Sequence, residues 1–395
     1  MSSAKTARRN VVVLALCQAL AMTGTNIQVL TASLVGDMLL VSDKALATLP
    51  ISLQVTGTML ATIPASFLMA WIGRRLGFTL GTAIGATGAA LSTAAIFAGS
   101  FALFCVGTAL VGCYQGFALF YRFAAADVAD PAFKPKAVSL VMAGGVISAL
   151  FGPEMAKWSR GLFEPVLFAG CYVVIIALCL VTACLLQLVR IPRPVAVSLA
   201  GGEPLARIAR RPAFVVAIAC GMVAYAVMNF VMTATPLAII GCGLPFEDAA
   251  FVIQWHVLGM YAPSFFTGHL IARFGHARVM IAGVLLLGIA LATNLAGLSL
   301  AHFWLALLLL GVGWNFLFVG ASALLTTTHT AEERAKVQAT NDFMVFGLVS
   351  LASFSSGAVL GHLGWTWINL APFPFLLLAA AAILAWRRRS YAVPA

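Results

Sequence analysis

The sequence predicts an all-α integral membrane protein of about twelve spanning helices, arranged as two six-helix halves. Three observations carry that expectation. Only 9% of the 395 residues are charged and 62% are apolar. A water-facing surface needs roughly a quarter charged residues, so lipid must be the outer solvent. The apolar residues fall into about a dozen runs, each near the roughly 20 residues that one helical crossing takes. Polar motifs then recur about 200 residues apart, as repeated halves require.

In chain order the predicted spans are 11–35, 46–71, 79–99, 102–123, 138–158 and 166–189, then 212–236, 249–271, 279–299, 303–326, 342–362 and 366–386. The polar, basic segment Met1 to Asn10 precedes the first. No small-residue cleavage site closes that first run, so removal of a signal peptide is not expected. Of 23 basic residues, 20 fall before span one, in alternate connections or after the last span, and Lys44, Lys157 and Arg160 fall on the opposite side. Basic connections stay in the cytoplasm, which places both termini inside a bacterial inner membrane. The net charge of +11 is therefore topology and not a nucleic-acid patch. Eight cysteines without a C-x-x-C pair form neither a disulfide framework nor a zinc site.

The halves are expected at 1–189 and 212–395, with 190–211 as a long, basic, Pro/Gly-containing cytoplasmic linker. Two echoes support the repeat. SFLMAWIGRRLG (66–77) and GHLIARFGHAR (268–278) each follow an even-numbered span, and AAADVADPAFKPKAV (124–138) pairs with TTHTAEERAKV (327–337). On these residues the chain resembles the major facilitator superfamily, whose signature between spans two and three is G-x-L-A-D-R-x-G-R-R. Gly73, Arg74 and Arg75 fit it, as do Gly268, Leu270, Arg273 and Gly275. The signature's acid is replaced by Ala70 and Ala272, so the charge relay that latches the family's cytoplasmic gate lacks a member. Gly152-Pro153 is similar to the family's Gly-Pro motif in span five.

Polar groups in lipid are costly, so each one inside a span is a candidate site. Span seven carries Met228 and Met232, and span eight carries His256 and Met260. Each pair is spaced i, i+4 and shares a helix face. Counted from the connecting loop, Met228 and His256 both lie roughly 12–14 Å deep at 1.5 Å per residue. Thioethers and an imidazole together suit Cu(I). The same residues also serve as packing methionines and as a hydrogen-bonded or proton-handling histidine. At the 202-residue offset the four positions become Asn26, Leu30, Gln54 and Thr58, so a metal site would lie in the second half alone.

Paired as Met-x-x-x-Met and His-x-x-x-Met, these motifs resemble those of the CcoA-type copper importers, which supply copper to cbb3-type cytochrome oxidase. The resemblance implies copper as transported substrate, with Met228, Met232, His256 and Met260 as ligands and Cys220 and Cys242 as a relay. It also implies a cytoplasmic copper chaperone or copper-exporting ATPase as partner. Relatives on the same branch move riboflavin.

Other charges suggest coupling or gating. Glu154 is a candidate proton-coupling carboxylate or an ion-pair partner of Lys157 or Arg160. Arg122, Asp127, Glu332, Glu333 and Arg334, together with Arg74, Arg75 and Arg273, are placed as gate charges. No P-loop is present, so ATP hydrolysis, enzymatic chemistry and a prosthetic group are not expected, and a monomer is. The leading expectation is a Cu(I) importer working by alternating access. The alternative is a carrier of riboflavin or a drug-like solute, in which Tyr114, Gln115, Asn26, Gln54 and Trp255 matter more.

Overall fold

The computed structural model describes residues 2–41, 44–130, 133–189, 191, 202–330 and 332–392. Within the expected linker, residue 190 and residues 192–201 lie outside the described residues, Arg190 and Arg193 among them. The described chain is helical throughout and divides into two compact units, Met1–Ala196 and Val197–Ala395.

The first unit holds α1 (Ser2–Leu39), α2 (Leu49–Ile72), α3 (Arg74–Ala98), α4 (Phe101–Ala118), α5 (Tyr121–Val128), α6 (Lys134–Met142), α7 (Gly144–Ser159) and α8 (Ala169–Leu186). The second holds α9 (Leu205–Ile208), α10 (Pro212–Gly241), α11 (Phe246–Tyr261), α12 (Ser264–Phe274), α13 (His276–Ala296), α14 (Leu300–Thr326), α15 (Arg334–Leu363), α16 (Trp365–Leu370) and α17 (Phe373–Ala392). Local chemistry sets the boundaries. Gly99 takes the left-handed conformation that ends α3, and the Ser100 hydroxyl then accepts from Leu103 N–H to start α4. Pro212 opens α10 at the first helical position, where its missing N–H costs nothing.

Among the described residues, eleven helical segments are long and apolar enough to cross a membrane. The chain is a multi-pass membrane protein. The expected eighth span, 249–271, is not one helix: it breaks at Ala262-Pro263 into α11 and α12. Proline has no N–H and its ring collides with the carbonyl four residues back.

The two units repeat one packing plan. In the first, α4 lies against α2 and α3, and α1 against α7 and α8. In the second, α14 lies against α11 and α13, and α10 against α15 and α17. The echo reaches single contacts. A side chain on Gly57 would strike the Ala109 carbonyl, and one on Gly259, 202 residues later, would stand 2.8 Å from the Leu308 carbonyl. Gly112 is closed against the backbone of Gln54, and Gly311 against that of His256. Small residues let helix backbones approach where lipid removes the hydrophobic drive. Large apolar residues such as Phe67, Trp71, Leu377 and Leu378 face outward, as a lipid-facing surface requires.

Candidate substrate site

Four helices of the second unit bring five rings together. Tyr225 on α10 meets Trp314 and Phe318 of α14 edge-on at 5.3 and 5.2 Å, and leans on Phe346 of α15 at 5.8 Å. Tyr261, the last residue of α11, meets Trp314 at 6.3 Å. Trp314 and Phe318, one turn apart, stack at 5.0 Å with planes 12° apart. Trp314 is buried, and the other four rings are half-buried. Counted at 1.5 Å per residue, Tyr225 and Trp314 each lie about 20 Å from either end of their helices. Secondary transporters bind their substrates at that depth.

The break in span eight abuts this cluster and has its own polar support. Asn315, beside Trp314, is fully buried. Its amide donates to the Met260 carbonyl and to Ser264 Oγ, each at 2.6 Å, and its Oδ1 accepts from Thr267 Oγ1 at 2.6 Å. One side chain thus ties the end of α11 to the first turn of α12. A broken helix in lipid needs such support, because freed backbone groups find no water there.

The residues singled out by sequence fall in several places. His256 is fully buried on α11, with Nδ1 2.8 Å from the Leu307 carbonyl of α14. Met228, Met232 and Met260 are buried as well. Cys220 is buried in α10, and Cys242 is exposed at the end of that helix. Trp255 lies on the outer side of α11 and meets Trp304 edge-on. In the first unit, Asn26 donates to Ser148 Oγ at 3.1 Å and Gln115 to the Ala21 carbonyl at 3.2 Å. Both bonds cross between helices. Tyr114 and Gln115 border a crevice between α1, α4 and α8, and Gln54 is buried with an unpartnered Oε1.

The charges also find partners. Arg74, buried at the start of α3, pairs with Asp127 of α5 at 2.5 Å. The acid missing from the signature at Ala70 is thus supplied from another helix. Arg75 is exposed, and Arg122 and Arg273 lie over the rings of Phe123 and Phe274. Glu154 pairs with Lys157 one turn on. Glu333, in the connection between α14 and α15, accepts from Thr330 N–H and from Glu203 N–H, each at 3.1 Å, and pairs with Arg211 at 3.1 Å. The Thr330 N–H first, and then the Arg211 guanidinium, hold its carboxyl down to about 2.

Relatives decide the family. The pattern of the Major Facilitator Superfamily matches residues 243–395. A riboflavin transporter of Brucella anthropi, RfnT, is 43% identical over 97% of both chains. The chain belongs to the major facilitator superfamily. Another superfamily relative, the uncharacterized MFS-type transporter YddS of Bacillus subtilis, is 28% identical over 89% of this chain and 84% of its own. In fold, this superfamily member matches an auto-inhibited peptide transporter of the POT family with a TM-score of 0.66 at 14% identity, over 99% of this chain and 98% of the other. It is a membrane transporter.

The full-length relative overturns the expectation of copper import. This relative, similar to the chain along its whole length, is a riboflavin transporter. The correction rests on this relative and not on His256 itself, whose Nδ1 meets the Leu307 carbonyl and whose buried Nε2 has no hydrogen-bond partner. Residues that the sequence did not single out also stand out: Tyr225, Tyr261, Trp314, Asn315, Phe318, Asn341, Asp342 and Phe346. Aromatic side chains are tallied with the apolar ones in a hydropathy reading, so a ring cluster gives no polar signal. Asp342, an acid inside the segment Lys336–Leu363, was a visible signal.

Proposed function

We propose that this chain carries riboflavin across the bacterial inner membrane by alternating access, as a monomer with both termini in the cytoplasm. The observation that carries the reading is the 43% identity to the Brucella anthropi riboflavin transporter over 97% of both chains. Mid-depth rings in the second unit agree with it, since a flat heteroaromatic substrate is held best by stacking on aromatic faces. The excess of basic residues in alternate connections supports the orientation. On this reading residues 1–189 and 212–395 are the two halves and 190–211 the cytoplasmic linker. The chain performs no chemistry on its cargo and needs no prosthetic group. Arg74–Asp127 and the Arg211–Glu333 group serve as cytoplasmic gate contacts.

The test is growth of a bacterial strain that neither makes nor takes up riboflavin, on limiting riboflavin, with and without this gene. Rescue of growth and accumulation of labelled riboflavin are the expected results. Surface expression without accumulation above the empty vector would reject the reading.

A further inference from the structure

The ring cluster has the chemistry of a ligand site, and its neighbours tell which part of the ligand goes where. Trp314 is 5% exposed, and its indole N–H has no hydrogen-bond partner. A buried donor left unmade is costly, and a ligand oxygen would satisfy it. The rings around it are half-buried and so still present surface. One turn along α15 from Phe346 lies Asp342, whose Oδ1 accepts from the neighbouring Asn341 amide at 3.1 Å. One turn along α10 from Tyr225 lies Gly221. A side chain there would begin 3.9 Å from Asn341 Oδ1 and 3.7 Å from Val345, so the helices leave space for about a methyl group beside the polar pair. An aromatic floor thus adjoins a polar pair at the next helical turn, toward the α14–α15 connection. Phe346 and the Asn341–Asp342 pair share α15, which fixes their spacing.

We infer that this site holds a flavin, with its tricyclic ring on Tyr225, Tyr261, Trp314, Phe318 and Phe346 and its ribityl chain at Asn341 and Asp342. The Trp314 indole N–H donates to a carbonyl oxygen of the ring. The polyhydroxyl chain exchanges hydrogen bonds with the Asn341 amide and the Asp342 carboxylate. An apolar drug lacks that second half, and a free sugar lacks the first, whereas a flavin has both. The inference rests on the riboflavin reading and deepens it by assigning the site.

Two ligands separate the parts of the proposal. Riboflavin and lumichrome, a related tricycle without the ribityl chain, are titrated into the purified full-length protein in detergent. Quenching of their own fluorescence on stacking is followed. Trp314→Phe keeps the ring and removes the donor, and should weaken both ligands about tenfold, the effect of one buried hydrogen bond. Tyr225→Leu should weaken both by at least about tenfold, the effect of one stacking face. Asn341→Ala should weaken riboflavin about tenfold and leave lumichrome unchanged. Trp314→Phe is conservative enough to decide the ring site if the leucine variant does not fold. Wild-type affinity for both ligands in Trp314→Phe would overturn the ring placement, and an equal loss for both in Asn341→Ala would overturn the placement of the chain. A wild-type protein that binds neither ligand would reject the riboflavin reading itself, which is a different result from either.

Discussion

Replacing Asn315 with leucine, which is close to it in shape and has no polar atoms, should open the join between α11 and α12 without unfolding the unit. The side chain makes three hydrogen bonds of 2.6 Å each, to Met260 O, Ser264 Oγ and Thr267 Oγ1. Thr267 keeps a second bond to the Pro263 carbonyl at 2.8 Å, so it loses little. The buried Met260 carbonyl loses most. Hydrogen bonds between membrane helices average about 0.6 kcal/mol, and those in other buried settings about 1 kcal/mol. Three together give roughly 1.5–3 kcal/mol. At about 1.4 kcal/mol per tenfold, local opening rises about 10- to 100-fold. Hydrogen exchange of the protein in detergent measures this directly: amides of residues 261–268 should exchange faster by that factor, while α13 keeps its wild-type rates. Unchanged exchange at 261–268 would refute the assignment of Asn315 as the support of the break.

Three more outcomes follow from the same geometry. Glu333 has a depressed pKa. Its contribution to stability is therefore complete above the ordinary glutamate range and is lost as pH falls from about 4.5 toward about 2. Glu333→Gln should flatten the dependence of the unfolding midpoint on pH across that window, and a slope equal to wild type would count against it. Asp127→Asn should destabilise more than Arg74→Met, because Arg74 is 9% exposed and Asp127 38%. Losing the acid strands a buried cation, whereas losing the arginine leaves a carboxylate that water can reach. A double-mutant cycle by thermal unfolding should return a coupling of about 1 kcal/mol, and additivity would show that the pair is inert. Gly259→Val forces a side chain to within 2.8 Å of the Leu308 carbonyl. It should cost about 1–3 kcal/mol, seen as a lower midpoint and reduced yield of folded protein.

The fold was legible because lipid imposes a simple arithmetic on sequence: long apolar runs, few charges and basic residues in alternate connections. The break in span eight was written at Pro263, yet within an apolar run a proline reads equally as a tolerated kink. The candidate site was far less legible. Rarity of polar groups drew attention to His256 and the methionines, and that logic finds polar atoms without saying which neighbour they face. The i, i+4 spacing puts His256 and Met260 on one side of α11, but only packing reveals that this side meets α14, where the Leu307 carbonyl engages His256 Nδ1. Tyr225 and Trp314 gave no signal, since each is unremarkable in an apolar span and their meeting depends on two helices, α10 and α14, separated by three others in sequence. The Arg74 pairing was hidden for the same reason: its acid comes from Asp127, far along the chain from the signature.

Comparison of the repeats explains why the break belongs to the second unit. In the first, α2 runs unbroken from Leu49 to Ile72. Gly116 of α4 lies so close that a side chain there would stand 3.0 Å from the Thr58 carbonyl and 2.9 Å from Ala61. At the matching place on α14 stands Asn315, and at the place of Thr58 stands Met260. A side chain of that size cannot fit against a continuous partner at the glycine's distance. It fits because the chain turns aside at Ala262-Pro263, and it then satisfies the carbonyl that the turn sets free. The neighbouring position changes in step, from Gln115 to Trp314, which puts an indole where the first unit has an amide. The same residue that supports the break in span eight thereby sits next to the ring that meets Tyr225 and Tyr261. Filling the aromatic floor and moving the α11–α12 join are mechanically adjacent events, so ligand contact with Trp314 should be felt first at residues 260–267.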